Sequence, residues 1–296
     1  MDVTVPARPV VPGFEVCPAT KRAWFQFFHF FSDRFAAEPG GQRGPSPAPL
    51  ARPVTSSLAI MTVHHRSHQE RIDAGLSFEW DCLPAAITAP NQIPETAQDA
   101  RLLRKGKSLR GISSYVGLRR IWAYGVNQEL LEELCCLSAL EVLFIDGVSA
   151  TDLSPVGRLT KLQALSVGGA PKIDNLSWLP ESRSLRSLAI CNLKSLHDLS
   201  GLEAHNQLRG LAVEGGTWTP MQVESLRPMS SLRELQFISL VNCRVADKSL
   251  QPLCNLTKLA VLHCAKFFPR QQFQLLHATL PILRCDWFSA DAWGGK

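Results

Sequence analysis

Long apolar runs are missing from this chain. None approaches the roughly 20 consecutive apolar residues that a bilayer-spanning helix needs, so no membrane span is expected. The aromatic stretch Ala23–Phe31 (AWFQFFHFF) contains Gln26 and His29 and starts late, which makes it a poor secretory signal. Also missing is any C-x-x-C pair among Cys17, Cys82, Cys135, Cys136, Cys191, Cys243, Cys254, Cys264 and Cys285. An odd, scattered set of thiols supports neither a disulfide framework nor a structural zinc site, and a reducing cytosol is the expected compartment. No phosphate-cradling glycine loop and no nucleophile elbow occurs. His64, His65 and His68 crowd together, but only Glu70 and Asp73 stand at ligand spacing, and the tract reads as an exposed polar tail. No metal, cofactor or catalytic residue is expected.

Acidic residues are missing from one stretch. Arg101, Arg104, Lys105, Lys107, Arg110, Arg119 and Arg120 follow one another with no Asp or Glu between them, and they carry most of the net charge of +5. A solvated rim accounts for such a run; an acidic partner or a phosphate backbone is the alternative.

What is present is a repeat. A Leu-x-x-Leu-x-Leu phrase begins at Leu118, Leu140, Leu162, Leu185, Leu208, Leu232 and Leu259, with a worn copy near Leu283, so it returns every 22 to 27 residues. A period in that range marks a stacked solenoid, and solenoids offer extended binding surfaces more often than clefts. In the unit starting at Leu140, alternation sends Leu143 and Ile145 inward and Val142, Phe144 and Asp146 to the other face. The limb from Asp152 to Leu159 then returns with helical or 3₁₀ spacing.

With the return limb DLSPVGRLTKL, these phrases resemble the leucine-rich repeat family and look like the short repeats of bacterial internalin-type proteins. The resemblance covers about residues 105 to 290. It implies an α/β leucine-rich repeat solenoid of about eight right-handed coils, with a curved parallel sheet on the concave side and short return limbs outside. The family places Asn or Cys before each return limb. Here that position reads Val126, Val148, Ala170, Leu193, Gly216, Leu240 and Phe267. Less regular turns are therefore expected, with buried backbone groups satisfied by water, and the long copy from Leu232 to Leu259 is expected to bulge.

Residues 1–60 are rich in Pro, Gly and Ala and could hold one aromatic helix at 21–36. Met61 is a second candidate start of translation. Residues 61–104 read as an irregular lead-in with a strand near Ser77–Trp80, and 105–296 as the repeat domain. Leu109 and Ile112 open its N-terminal cap. At the other end Phe267, Phe268, Phe273, Leu275 and Leu276 form a larger limb, and Trp287, Phe288 and Trp293 cover the last strand.

The outward residues bound the function. One column reads Trp122, Phe144, Ser166, Ala189, Ala212, Gln236 and His263, and its neighbour Tyr124, Asp146, Gly168, Cys191, Glu214, Ile238 and Ala265. Aromatics beside Arg119 and Arg120 are the residue types of binding hot spots. The run of small residues beyond them would admit a partner's helix or strand; the alternative is that residues 61–100 cover Trp122 and Phe144. Cys191 and His263 stand three strands apart, roughly 14 Å at ~4.8 Å per strand, where a nucleophile and its base need about 3 Å. Asp146 and Glu214 fail as a carboxylate pair for the same reason. The expected function is non-catalytic protein–protein recognition by a monomer, with Arg119, Arg120, Trp122, Tyr124, Val142, Phe144 and Asp146 touching the partner protein. An anionic-surface or nucleic-acid binder using 101–120 is the alternative.

Overall fold

The computed structural model describes residues 67–293 apart from 107, 181, 182 and 217. The aromatic segment 21–36, the proline-rich opening, His64 and His65 lie outside the described residues. Nine parallel strands form one sheet: β1 (Ala86–Ile87), β2 (Asp99–Leu103), β3 (Arg120–Tyr124), β4 (Val142–Asp146), β5 (Ala164–Gly168), β6 (Ser187–Cys191), β7 (Gly210–Glu214), β9 (Phe237–Leu240) and β11 (Val261–Cys264). β8 (Met221–Val223) and β10 (Cys243–Val245) pair separately beside the long coil. Each repeat phrase supplies one strand, which makes the chain a leucine-rich repeat solenoid.

Inward residues of the phrase, among them Leu143, Ile145, Leu165, Val167, Leu188 and Ile190, join the return limbs in one continuous core and are almost fully buried. The limbs are short because proline starts them. Pro155, Pro228 and Pro252 each stand in the first turn of a 3₁₀ segment, Ser154–Arg158, Arg227–Ser231 and Gln251–Asn255. Asp152, Asn175 and Asp198 turn the chain into three of the limbs by accepting the backbone N–H two residues on, at 2.8, 3.1 and 2.9 Å. Two limbs are true helices: α1 (Gln128–Cys135), capped by Asn127, and α2 (Arg270–Thr279).

The structure corrects the phase of the sixth copy. Ala212 pairs with Ser239 and Leu211 with Ile238, so the phrase starts at Leu235 and not at Leu232. Leu232 closes the preceding 3₁₀ limb, where its own i+3 spacing to Leu235 imitates the phrase. Ser239 therefore replaces Gln236 in the outward column, and the long coil is the one from Leu208 to Leu235. The shift also places the fully buried Cys243 at the family's Asn/Cys position. Burial pushes its thiol up to about 12.

Elsewhere that position is apolar, and the turns bond coil to coil. Gly125 N–H donates to the Asp146 carbonyl at 2.9 Å, Gly169 to Cys191 at 3.0 Å and Asn192 to Glu214 at 2.7 Å. Two residue types make this possible. Gly125, Gly147, Gly169, Asn192 and Asn242 occupy the turn with φ from +51° to +72°, a left-handed conformation that Gly and Asn adopt most readily.

Strands β1 and β2 lie within the stretch read as an irregular lead-in, so the sheet begins before residue 105. Leu109 and Ile112 belong to a return limb, and where a strand was expected near 77–80, residues 77–79 carry no regular element and a 3₁₀ turn begins at Trp80. At the C-terminal end Phe268, Phe273 and Leu276 face the core, while Phe267 and Leu275 are exposed. Trp287 and Trp293 pack on the core's end, with Trp287 Nε1 donating to the Cys264 carbonyl at 2.7 Å. Residues 67–73 and 78–83 form a separate unit that includes a helical stretch at 67–73, where Gln69 Nε2 donates to Asp73 Oδ1 at 3.0 Å. No helix among the described residues is long and apolar enough to cross a membrane.

The turn column yields a test. At Gly169, with φ +59°, an added Cβ would stand 3.3 Å from Asp146 Oδ1 and 3.3 Å from Gly147 N. Gly169→Val is expected to lose about 1–3 kcal/mol in denaturant unfolding, and Gly169→Asn clearly less, since Asn tolerates this conformation.

Candidate recognition face

Strand register builds the outward face as three columns. Trp122, Phe144, Ser166, Ala189, Ala212, Ser239 and His263 run in line across β3–β11. Arg120, Val142, Ala164, Ser187, Gly210, Phe237 and Val261 flank them on one side. Tyr124, Asp146, Gly168, Cys191 and Glu214 lie on the other.

The small-residue floor is already filled by the chain itself. Residues 74–77 belong to the same compact unit as the sheet. Leu76, 4% exposed, packs with Ala189, Ala212, Phe237 and Val261 in a second apolar cluster. Burying one leucine there contributes about 1.5–3 kcal/mol. The backbone approaches so closely that glycine is required. Ser187 Oγ donates to the Ala74 carbonyl at 2.7 Å, and a Cβ on Gly210 would lie 2.4 Å from that same oxygen. Gly75, with φ +70°, would bring a Cβ to 2.5 Å from Ser187 Oγ. This strap was legible only in part: Gly210 and the small column are visible in sequence, but nothing there names Leu76 as the occupant.

Over β3 and β4 the face is different. Tyr124, Val142, Phe144 and Asp146 are half-buried. Trp122 stands in the column as expected but is 7% exposed, so it is not available as a direct contact. Burial raises the Tyr124 hydroxyl pKa, against the opposing charge of Arg101, whose guanidinium lies 5.8 Å from the ring centre. Asp146 leans over Gly168, whose missing Cβ leaves room for the carboxylate.

Three members of the basic run are paired with carboxylates across coils. Arg120 makes a bidentate bond to Asp99, Nε–Oδ1 2.7 Å and Nη2–Oδ2 2.6 Å, and that hydrogen bonding raises its pKa. Arg119 meets Glu141 at 2.6 Å, and Arg110 bonds Glu129, whose pKa it lowers. Arg104 Nε donates to the Gly125 carbonyl at 2.7 Å. The run lacks acids along the chain, yet its carboxylates arrive from the neighbouring coils.

The rejected catalytic pairs stay apart. Between Cys191 on β6 and His263 on β11 stand β7 and β9; between Asp146 on β4 and Glu214 on β7 stand β5 and β6. Glu214 instead accepts from Ser239 Oγ and lies 3.7 Å from Cys191 Sγ. Among the described residues no group of three His, Cys, Asp or Glu side chains could hold a metal ion.

No family model matches the sequence, and no curated protein does. Solved structures match. Internalin C2 of Listeria monocytogenes is 24% identical over 58% of this chain and 71% of its own, with a TM-score of 0.45. Internalin InlF of the same organism is 16% identical over 64% of this chain and 79% of its own, with a TM-score of 0.27. TLR13 in complex with ssRNA13 is 17% identical over 62% of this chain and 28% of its own, with a TM-score of 0.43.

Two outcomes check this face. Trp122→Ala is expected to cost about 3–5 kcal/mol in unfolding experiments, the scale of a truncated core aromatic. Gly210→Val is expected to expel residues 74–77 from the floor, read as faster amide exchange there with the sheet's own protection retained; unchanged exchange at 74–77 would refute the strap.

Proposed function

We propose that this chain is a non-catalytic recognition module that binds another protein through the outward residues of β3 and β4. The observation that carries this reading is the contrast along one sheet. Over β6–β11 the face is closed by Leu76, whereas Tyr124, Val142, Phe144 and Asp146 form a contiguous, half-exposed aromatic, apolar and acidic surface. Such a mixture offers a desolvated anchor beside a polar group that fixes orientation. Trp122 stands beside Phe144 on the adjacent strand. Arg119 and Arg120 frame the margin while paired to Glu141 and Asp99, so they shape the rim and add little free charge. The same pairings weaken the nucleic-acid reading of residues 101–120, because a cation held by a carboxylate releases fewer counterions on binding a phosphate.

The test is capture from the native cell's lysate with the intact chain as bait, followed by mass spectrometry. A partner retained by the native chain and lost by Phe144→Ala/Asp146→Ala, with an unfolding midpoint lowered by no more than about 4 °C, is the expected result. Equal retention by both baits would sink the assignment of this face.

A further inference from the structure

Further along the entry margin that Arg119 and Arg120 frame at β3, the chain carries a second population of cations. Lys161, Arg183, Arg186, Arg209 and Arg233 occupy the entry turns of β5, β6, β7 and β9. All are exposed except the half-buried Arg186. Among the described residues none of the five forms a salt bridge. Arg186 donates to the Arg183 carbonyl at 2.7 Å and to Gln207 Oε1 at 3.2 Å, and Arg233 to the Asn255 carbonyl at 3.0 Å. Among the described residues Glu234 lies in their midst; its bond to Lys258 at 2.6 Å lowers its pKa, and Arg209 and Arg186 add to that lowering. Three strand steps of ~4.8 Å place these charges within a margin of roughly 15 Å.

We infer that this margin is a docking track for an acidic, extended segment of a protein partner. The inference rests on the recognition reading and deepens it by naming the chemistry of a second contact. Stacked coils set the cations at strand spacing, and an extended peptide presents side chains on one side every ~6.6 Å, so each carboxylate reaches one or two of them. Arg186 and Arg233 are held in place by neutral groups, and although Glu234 feels the charge of Arg186 and Arg209, it bonds neither, which leaves the margin net positive for a ligand. Where Arg119, Arg120 and Arg110 meet carboxylates one coil away, Arg186 and Arg233 meet Gln207 and backbone carbonyls. Single-stranded nucleic acid fits less well, because it binds where exposed aromatics stack its bases. The fully exposed Trp218 follows the C-terminal end of β7, on the opposite margin.

Fluorescence anisotropy with the full chain tests the track. The probes are a labelled Glu/Asp-rich peptide of about ten residues, enough at ~3.3 Å per residue to span the margin, and an oligothymidylate of similar reach. The peptide is expected to bind more tightly than the oligothymidylate, and more weakly as salt rises. Arg186→Glu/Arg209→Glu should weaken peptide binding about tenfold or more, whereas Arg110→Glu should change it less than about twofold. Arg186→Lys/Arg209→Lys, which keeps the charge, should retain binding and serves as the folding control. The track is overturned if the peptide does not bind, if the oligothymidylate binds more tightly, or if Arg110→Glu weakens binding as much as the double reversal. Should the lysate partner still depend on Phe144 and Asp146 after any of those results, the recognition reading stands and only the acidic track falls.

Discussion

Everything in this chain depends on lateral stacking at strand spacing. A residue's partners stand about one coil before and one coil after it, some 22 residues away, and rarely beside it in sequence. Backbone N–H groups of each turn end on the carbonyls of the next coil, and the inward leucines complete a core that no single coil could close. The cost falls on the turns. Where the family's side-chain ladder is replaced by Val126, Val148, Ala170 and Leu193, the backbone must come close enough to bond directly, and left-handed Gly or Asn residues take over that task. The turns are regular, contrary to expectation, because a column of backbone conformations has replaced a column of amides.

The same constraint explains what could be read in advance. Period and alternation identified the strands β3–β7, since both properties are local to a phrase. The slip at Leu232 arose because Leu232, Leu235 and Ile238 share one i+3 spacing, and only the Ala212–Ser239 pairing decides which leucine opens the strand. Strand β2 was missed for a related reason. Asp99–Leu103 carries Ala100 in place of the first inward leucine of its strand, and the three prolines before it point to loop. Its membership in the sheet is set by pairing with Arg120–Tyr124, a contact between elements.

The strap at 74–77 changes how the outward face is understood. A small-residue column in a parallel sheet invites a ligand, and here the first ligand is the chain itself. Leu76 supplies apolar contact, the Ala74 carbonyl supplies the hydrogen bond, and Gly75 and Gly210 supply the clearance. Self-occupation shortens the surface left to a partner. It also keeps Ala189, Ala212 and Phe237 from presenting an exposed apolar patch, a feature that otherwise promotes association.

Two sets of arginines in one molecule then meet different fates for one reason. Along the sequence, the run from Arg101 to Arg120 looks the more basic, because its acids are absent from the same stretch. In three dimensions Asp99, Glu129 and Glu141 neutralise its members from adjacent coils. Arg183, Arg186, Arg209 and Arg233 are more dispersed in sequence, interrupted by Asp198, Glu203, Glu214 and Glu224, yet those acids lie outside the strand-entry turns. Charge in a solenoid therefore has to be counted across coils at a fixed position of the repeat. Counted that way, the margin whose described cations form no salt bridge lies at the entry of β5–β9, and the run that draws the eye in sequence is a structural seam between the first coils.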